Sequence, residues 1–210
     1  HKYEYCDLLI TGSGPSGLAS AYAAAKNGAR VILAEDKPRF GGSLLTSDVN
    51  IGNQTGVEWT EKIIAELKSM PNVTVKNRSQ VFGYYDHNML VMSERISDHL
   101  PKTQKYLPKQ RLWYIRANEV LISSGSIERP LVFGNNDTPG VMLSSAAKEY
   151  MKVYGVLVGK KPLIFTNNDS GYETAIEFKK NGIDPVILDT RKDPQSEIID
   201  EAKNLGINIK

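Results

Sequence analysis

A G-x-G-x-x-G motif at residues 12–17 constrains this chain more than any other feature of its sequence. It follows an apolar run at 8–10, which predicts a buried parallel strand, and it precedes a helix predicted at 15–27. A second apolar run at 31–34 predicts the next strand. The alternation of strands and helices that continues to residue 75 is typical of a doubly wound α/β sheet.

Each glycine of the motif has a physical role in binding a dinucleotide. Gly12 permits the tight turn, Gly14 lets backbone N–H groups approach a pyrophosphate, and Gly17 lets the helix pack closely on the strand. The helix amino terminus adds a positive dipole for the phosphates. Glu35 ends the second strand and is placed to accept hydrogen bonds from an adenosine ribose. An acid there favours a free 2′-hydroxyl, so NAD or FAD is predicted in preference to NADP.

The segments after the second strand predict further elements. A helix at 57–70 and a strand at 73–75 complete the first α/β alternation. Strand-like segments then predict an antiparallel meander, with strands at 81–85, 89–96 and 110–116 and a turn at 86–88. A separate buried strand is predicted at 119–122, and a helix at 144–154.

The fold class predicted from these elements is α/β. We expect an FAD/NAD(P)-binding Rossmann-like three-layer fold with an inserted antiparallel β-meander and part of a second Rossmann-like domain. The first, dinucleotide-binding domain is predicted at 1–130, with its meander at about 80–116. The second, degenerate unit is predicted at 140–210.

The last part of the chain repeats the first. Four landmarks recur at an offset of 154 residues, namely Gly17 with Gly171, Ala21 with Ala175, Gly28 with Gly182, and Glu35 with Asp189. At the same register Thr166 and Asn168 replace the first two glycines of the motif. We therefore expect a structural turn there, one working dinucleotide site, and a chain that is a piece of a longer subunit.

The composition excludes several functional classes. The 26 Lys and Arg residues against 24 Asp and Glu give a net charge of +2, which offers no electrostatic case for nucleic acid or an anionic membrane. No apolar run reaches the roughly 20 residues of a membrane span.

The single cysteine fits a cytoplasmic setting, and the scattered histidines predict no metal site. A basic stretch is interpreted as a solvated loop, formed by Lys102, Lys105, Lys109 and Arg111.

Several segments together resemble the alpha subunit of heterotetrameric sarcosine oxidase. The tyrosine-rich turn VFGYYDHN at 81–88 and two Asn-Asn-Asp segments are more specific than the glycine motif. The resemblance extends over nearly the whole chain, through residues 6–17, 38–45, 81–88, 127–133, 135–137, 139–142 and 165–170.

That resemblance implies an oxidoreductase that demethylates sarcosine to glycine with oxygen, forming hydrogen peroxide, and methylene-tetrahydrofolate when tetrahydrofolate is present. It implies NAD in this segment, FAD and FMN in the whole complex, and beta, gamma and delta subunits as partners. The segment alone is expected to be inactive, and its catalytic residues stay unknown. The predicted cofactor-binding residues are Gly12, Gly14, Ser16, Gly17, Glu35, Asp36, Lys37, Gly42, Ser43 and Val81.

Two alternatives stay open at this stage. One is an FAD-binding subunit of an amine or opine dehydrogenase, which shares the glycine motif and the Gly41-Gly42 loop. The other is a structural scaffold whose dinucleotide is structural or absent. Ser123-Ser124-Gly125 stands where two-dinucleotide flavoprotein reductases usually have Ala-Thr-Gly, which counts against membership of that class.

Overall fold

The computed structural model describes residues 1–101 and 106–210. Lys102 and Lys105 of the predicted basic loop lie outside the described residues. The chain forms two compact units, His1–Gly125 and Ser126–Lys210. No helix in the described ranges combines the length and the apolar character needed to cross a membrane.

The first unit contains eight strands and two α-helices within its described residues. The helices are α1 (Pro15–Lys26) and α2 (Gly56–Ser69). The strands are β1 (Lys2–Thr11), β2 (Val31–Ala34), β3 (Asn50–Ile51), β4 (Gln54–Thr55), β5 (Val73–Lys76), β6 (Ser79–Tyr85), β7 (Met89–Arg95) and β8 (Gln110–Ile122). Two short 3-10 helices complete the unit, Gly42–Leu45 and Asp86–Asn88.

Six of these strands form one mixed sheet in the order β5-β2-β1-β8-β7-β6. Strands β5, β2, β1 and β8 pair with their neighbours in parallel. Strands β8, β7 and β6 pair antiparallel. One apolar cluster joins the sheet to α1 and α2 through residues such as Leu18, Leu33 and Leu67. A second cluster joins β1 and β2 to the meander strands β7 and β8. The adjacent residues Leu9 and Ile10 of β1 point to opposite faces and both are buried, so both faces of the sheet are buried near the glycine motif.

The prediction of separate strands at 110–116 and 119–122 is wrong. The structure has one continuous strand, β8, because it pairs in parallel with β1 across the predicted break, from Lys2 opposite Trp113 to Thr11 opposite Ile122. Its first half also pairs with β7. One strand thus belongs to both the meander and the parallel part of the sheet. Pairing with two distant strands cannot be predicted from the local sequence of 110–122.

Strand β1 is longer than the run predicted at 8–10, and it includes Cys6. Its first half contains the exposed Tyr3 and Tyr5 and therefore has no continuous apolar run that would predict a buried strand. Cys6 itself is buried, and burial raises the pKa of its thiol to about 11. That environment is typical of a structural thiol, since a reactive thiol needs a lowered pKa.

The second unit contains the helices α3 (Ser144–Tyr154), α4 (Ser170–Lys180) and α5 (Glu197–Asn204). Its strands β9 (Leu163–Thr166), β10 (Val186–Asp189) and β11 (Asn208–Ile209) form a parallel sheet in the order β11-β10-β9. The core of this unit includes the fully buried Tyr172, Ile187 and Ile199. The strand-helix-strand order is the one that the sequence repeat predicts.

Candidate functional site

The turn after β1 requires glycine at two positions. Gly12 has a φ of +98°, and a Cβ built there would lie 2.3 Å from the Ser123 carbonyl oxygen. A Cβ on Gly17 would lie 2.0 Å from the carbonyl oxygen of Gly12. Backbone atoms block both positions, so a side chain on Gly12 would displace the segment after β8 and one on Gly17 would push α1 away from the turn. The close helix–strand approach expected of the motif is present.

The start of α1 is open on its outer side. Gly14 is the N-cap residue, and a Cβ placed on it would meet nothing within 4 Å. Among the described residues no side chain caps this helix, and its first turn contains no acid. The amino-terminal N–H groups and the helix dipole therefore favour an anion here. Ser16 is exposed in the same first turn.

The loop after β2 packs against this turn. The backbone N–H of Gly41 donates to the Ser13 carbonyl oxygen at 3.0 Å and to Ser13 Oγ at 3.3 Å. Gly42 has a φ of +54°, and its Cβ would lie 2.9 Å from Gly14 Cα. The buried Leu44 anchors the following 3-10 helix, which leaves Ser43 exposed at the site.

Glu35 directly follows β2, and its carboxylate is held by two segments. Oε2 accepts hydrogen bonds from the Ser13 backbone N–H at 2.9 Å and from Ser13 Oγ at 2.6 Å. Oε1 accepts from the Lys37 backbone N–H at 2.9 Å. Burial raises the pKa of Glu35, and the neighbouring Asp36 carboxyl raises it further, while the bonds from Ser13 and Lys37 lower it.

The backbone around Glu35 is fixed by the neighbouring strands. Its N–H donates to the Lys76 carbonyl oxygen at 2.8 Å, and its own carbonyl oxygen accepts from Ser79 N–H at 2.7 Å. Arg95 Nη2 donates to the carbonyl oxygen of Asp36 at 3.1 Å. Val81 lies two residues beyond Ser79 on β6 and packs, half-buried, on the cluster between β1, β2 and the meander.

The predicted residues thus lie in three segments that meet. The glycine motif, the loop at Gly42 and Ser43, and Glu35 are joined by the bonds to Ser13 described above. Asp36 and Lys37 follow Glu35 and are exposed. Val81 lies on β6, the strand that begins beside Glu35, and its half-buried side chain packs against the neighbouring apolar cluster.

Sequence reasoning missed Ser13 and Gly41. Ser13 occupies a variable position of the motif, so the pattern alone gives it no role. Its bond to Glu35 spans 22 residues and its bond to Gly41 spans 28. The signal for Ser13 was the hydroxyl itself, and the signal for Gly41 was its place in the Gly41-Gly42 pair.

The second unit lacks the equivalent site. The Thr166 side chain lies where a glycine would open the turn, within 2.7 Å of a Cβ built on Gly171. Asp189, the counterpart of Glu35, accepts bonds from Tyr172 Oη at 2.8 Å and from Arg191 Nη2 at 2.8 Å. Its carboxylate forms an ion pair with the Arg191 guanidinium, whereas Glu35 has no such partner among its described hydrogen bonds, and this supports the interpretation of this segment as a structural turn.

A metal site has no support in the described part of the chain. Residues 1–101 and 106–210 contain no group of three or more His, Cys, Asp or Glu side chains that could hold an ion.

The chain is similar in sequence to known oxidoreductases. Residues 7–104 match the family described as FAD dependent oxidoreductase. The sarcosine oxidase subunit alpha of Rhizobium meliloti (strain 1021) is 45% identical over 191 residues, 90% of this chain and 19% of that one. The same subunit of Corynebacterium sp. (strain P-1) is 36% identical over 211 residues, 100% of this chain and 22% of that one. The chain is homologous to a segment of sarcosine oxidase alpha subunits.

The predicted resemblance to sarcosine oxidase alpha subunits is therefore confirmed, and the chain spans about a fifth of the length of these relatives. The fold is confirmed by a solved structure, the L-proline dehydrogenase from P. horikoshii. It superposes with a TM-score of 0.73 at 23% identity, covering 93% of this chain and 38% of that one. The two proteins thus share an α/β fold.

Proposed function

We propose that this chain is the dinucleotide-binding segment of an oxidoreductase of the sarcosine oxidase type. The observation that carries the proposal is the convergence of the open α1 amino terminus at Gly14 with the buried Glu35 carboxylate, through Ser13. This arrangement offers N–H donors to a pyrophosphate and an acceptor to a ribose hydroxyl, which are the two groups that an adenine dinucleotide presents.

The residues fit such a cofactor without rearrangement of the turn. The space beside Gly14 is open, and the nearby Gly42 adds no side chain to it. Glu35 would accept from the ribose, and the α1 dipole would offset phosphate charge. Ser16 and Ser43 would add hydroxyl donors at the rim. When bound, the dinucleotide would supply the capacity to accept or store reducing equivalents.

We propose NAD as the dinucleotide, in line with the resemblance to the sarcosine oxidase alpha subunit. FAD is the second candidate, and the match of residues 7–104 to FAD dependent oxidoreductases favours it. An acid at Glu35 suits both, because both carry an adenosine ribose with a free 2′-hydroxyl.

The activity of the whole protein is a proposal that rests on the same resemblance. It comprises oxidative demethylation of sarcosine to glycine, formation of hydrogen peroxide and methylene-tetrahydrofolate, and assembly with beta, gamma and delta subunits that bring FAD and FMN. A cytoplasmic location belongs with it. The proposed domain organisation is a dinucleotide-binding domain at 1–130 and a second, degenerate unit at 140–210.

The identity of the nucleotide that copurifies with this chain tests the proposal. The protein is denatured, and the released nucleotide is identified by chromatography and by its visible absorption. We expect NAD; the yellow colour of a released flavin would support FAD instead. Gly14→Val should abolish retention of either nucleotide. Gly159→Val, at another position with open space around it, is the matched control and should retain it. Absence of both nucleotides, together with no thermal shift on adding either, would contradict a dinucleotide site.

A further inference from the structure

We propose that Ser13 is a positioning residue for dinucleotide binding, whose hydroxyl orients the Glu35 carboxylate toward the adenosine ribose. This inference rests on the dinucleotide function proposed above and assigns a residue at a variable position of the motif. Ser13 is itself buried, so its hydroxyl acts on Glu35 and is not a surface contact for the ligand.

Ser13 makes two of the bonds that fix this carboxylate. Its backbone N–H and its Oγ both donate to Oε2 of Glu35, at 2.9 Å and 2.6 Å. The pair holds Oε2 against the glycine turn, so the terminal torsion of Glu35 has one orientation and the direction of Oε1 is set. A hydrogen bond to a charged acceptor at this distance is among the stronger kinds.

The hydroxyl also supports the charge of the carboxylate. Burial and the Asp36 carboxyl raise the pKa of Glu35, and the bond from Ser13 Oγ is the largest of the opposing effects. Removing that bond would raise the pKa further, because a donated hydrogen bond favours the ionised form. The titratable and charged groups nearest to Glu35 along its own and the adjoining strands are Asp36, Lys37, Lys76, Arg78 and Arg95.

A substitution can remove this effect while leaving the shorter of the two bonds between residue 13 and the loop. In Ser13→Ala the Gly41 N–H keeps its 3.0 Å bond to the carbonyl oxygen of residue 13, and Glu35 keeps the backbone N–H donor. Only the Oγ bonds are lost. Ser13→Thr retains the hydroxyl and is the conservative variant.

The experiment measures the affinity of the whole protein, stripped of nucleotide, for NAD and in parallel for FAD between about pH 5 and about pH 8. Affinity should fall as pH drops through the pKa of Glu35, because a protonated carboxyl loses acceptor capacity. In Ser13→Ala we expect affinity about tenfold lower at neutral pH, with the fall displaced to higher pH. Ser13→Thr should restore both, and Ser69→Ala, which removes a hydroxyl from the end of α2, should change neither.

Glu35→Gln separates this inference from the proposed function. If dinucleotide binding requires Glu35, the variant binds weakly and without the pH dependence, and adding Ser13→Ala changes nothing more. An affinity loss in Ser13→Ala that is equal at every pH, or that persists in the Glu35→Gln background, would show a structural role and overturn the inference. Loss of all NAD and FAD binding in the unmodified protein would overturn the proposed function itself.

Discussion

Gly42 lies against Gly14, at a distance that leaves no room for a side chain between them: a Cβ on Gly42 would stand 2.9 Å from Gly14 Cα. The two glycines come from segments that are far apart in sequence. Their contact brings the loop after β2 onto the amino terminus of α1. The backbone of both segments is therefore available to a ligand, with no side chain of either glycine in the way.

Gly42→Ala should impair both stability and dinucleotide binding. The positive φ of +54° and the contact with Gly14 both oppose a Cβ. We expect a loss of about 2 kcal/mol in the free energy of unfolding and at least about tenfold in affinity. Gly52→Ala is the matched control, since its φ is +60° but nothing lies within 4 Å. It should cost about 1 kcal/mol and leave affinity unchanged. Equal effects on affinity in the two variants would refute the role of the contact.

Alanine should lower stability at Gly17, whereas at Gly14 it should weaken dinucleotide binding. In Gly17→Ala the new methyl meets the Gly12 carbonyl oxygen, so α1 must shift, at a cost of about 3 kcal/mol in unfolding free energy. Gly14 has a φ of −66° that alanine adopts freely, and open space beside it. Gly14→Ala should thus change stability by less than about 1 kcal/mol while weakening dinucleotide binding. Chemical denaturation and nucleotide titration of both variants distinguish the packing glycine from the ligand-facing one.

The sequence predicted those parts of the fold that have local signals. The helix predicted at 144–154 is observed as α3, because an amphipathic pattern and Gly155 mark its length and its end. The glycine motif likewise marked the turn and the start of α1. In contrast, the continuity of β8 arises from pairing with β1, which is distant in sequence and leaves no mark within 110–122 itself.

The residues of the candidate site likewise differ in whether local sequence could predict their positions. Gly12, Gly14, Gly17 and Glu35 have spacings fixed by one strand-helix-strand unit, so they could be placed from sequence. The contributions of Ser13 and Gly41 depend on how the loop after β2 folds back, which is a tertiary matter. Val81 stays a prediction that rests on the resemblance, and its half-buried side chain packs against the cluster between β1, β2 and the meander.

Two ion pairs between α3 and α4 should differ in their contribution to stability. Lys152 Nζ lies 2.6 Å from Glu177, whose side chain is 8% exposed, whereas Lys148 lies 3.3 Å from Glu173, which is 56% exposed. Glu177→Gln would leave an ammonium beside a buried neutral group, at a cost of about 2 kcal/mol. Glu173→Gln should cost less than about 0.5 kcal/mol. Urea denaturation of both variants measures the difference; comparable losses would show that burial does not decide it.

Asp7 should make the first unit sensitive to acid. Hydrogen bonds from the Arg30 side chain and backbone lower the pKa of Asp7 to about 2, from an ordinary value of 3.8. Because the pKa is lowered in the folded state, the pair stabilises the protein above about pH 4, and that contribution disappears as pH falls toward about 2.

The charge of this pair can be tested with a single substitution. Asp7→Asn keeps an acceptor for the Arg30 N–H but removes the charge, so its melting temperature should be lower than that of the unmodified protein at neutral pH. The two melting temperatures should converge as pH falls from about 4 to about 2, and added salt should reduce the difference because the pair is partly exposed. Asp86→Asn, in the exposed turn between β6 and β7, is the matched control. A melting-temperature difference for Asp7→Asn that is the same at every pH would show that its charge is not responsible.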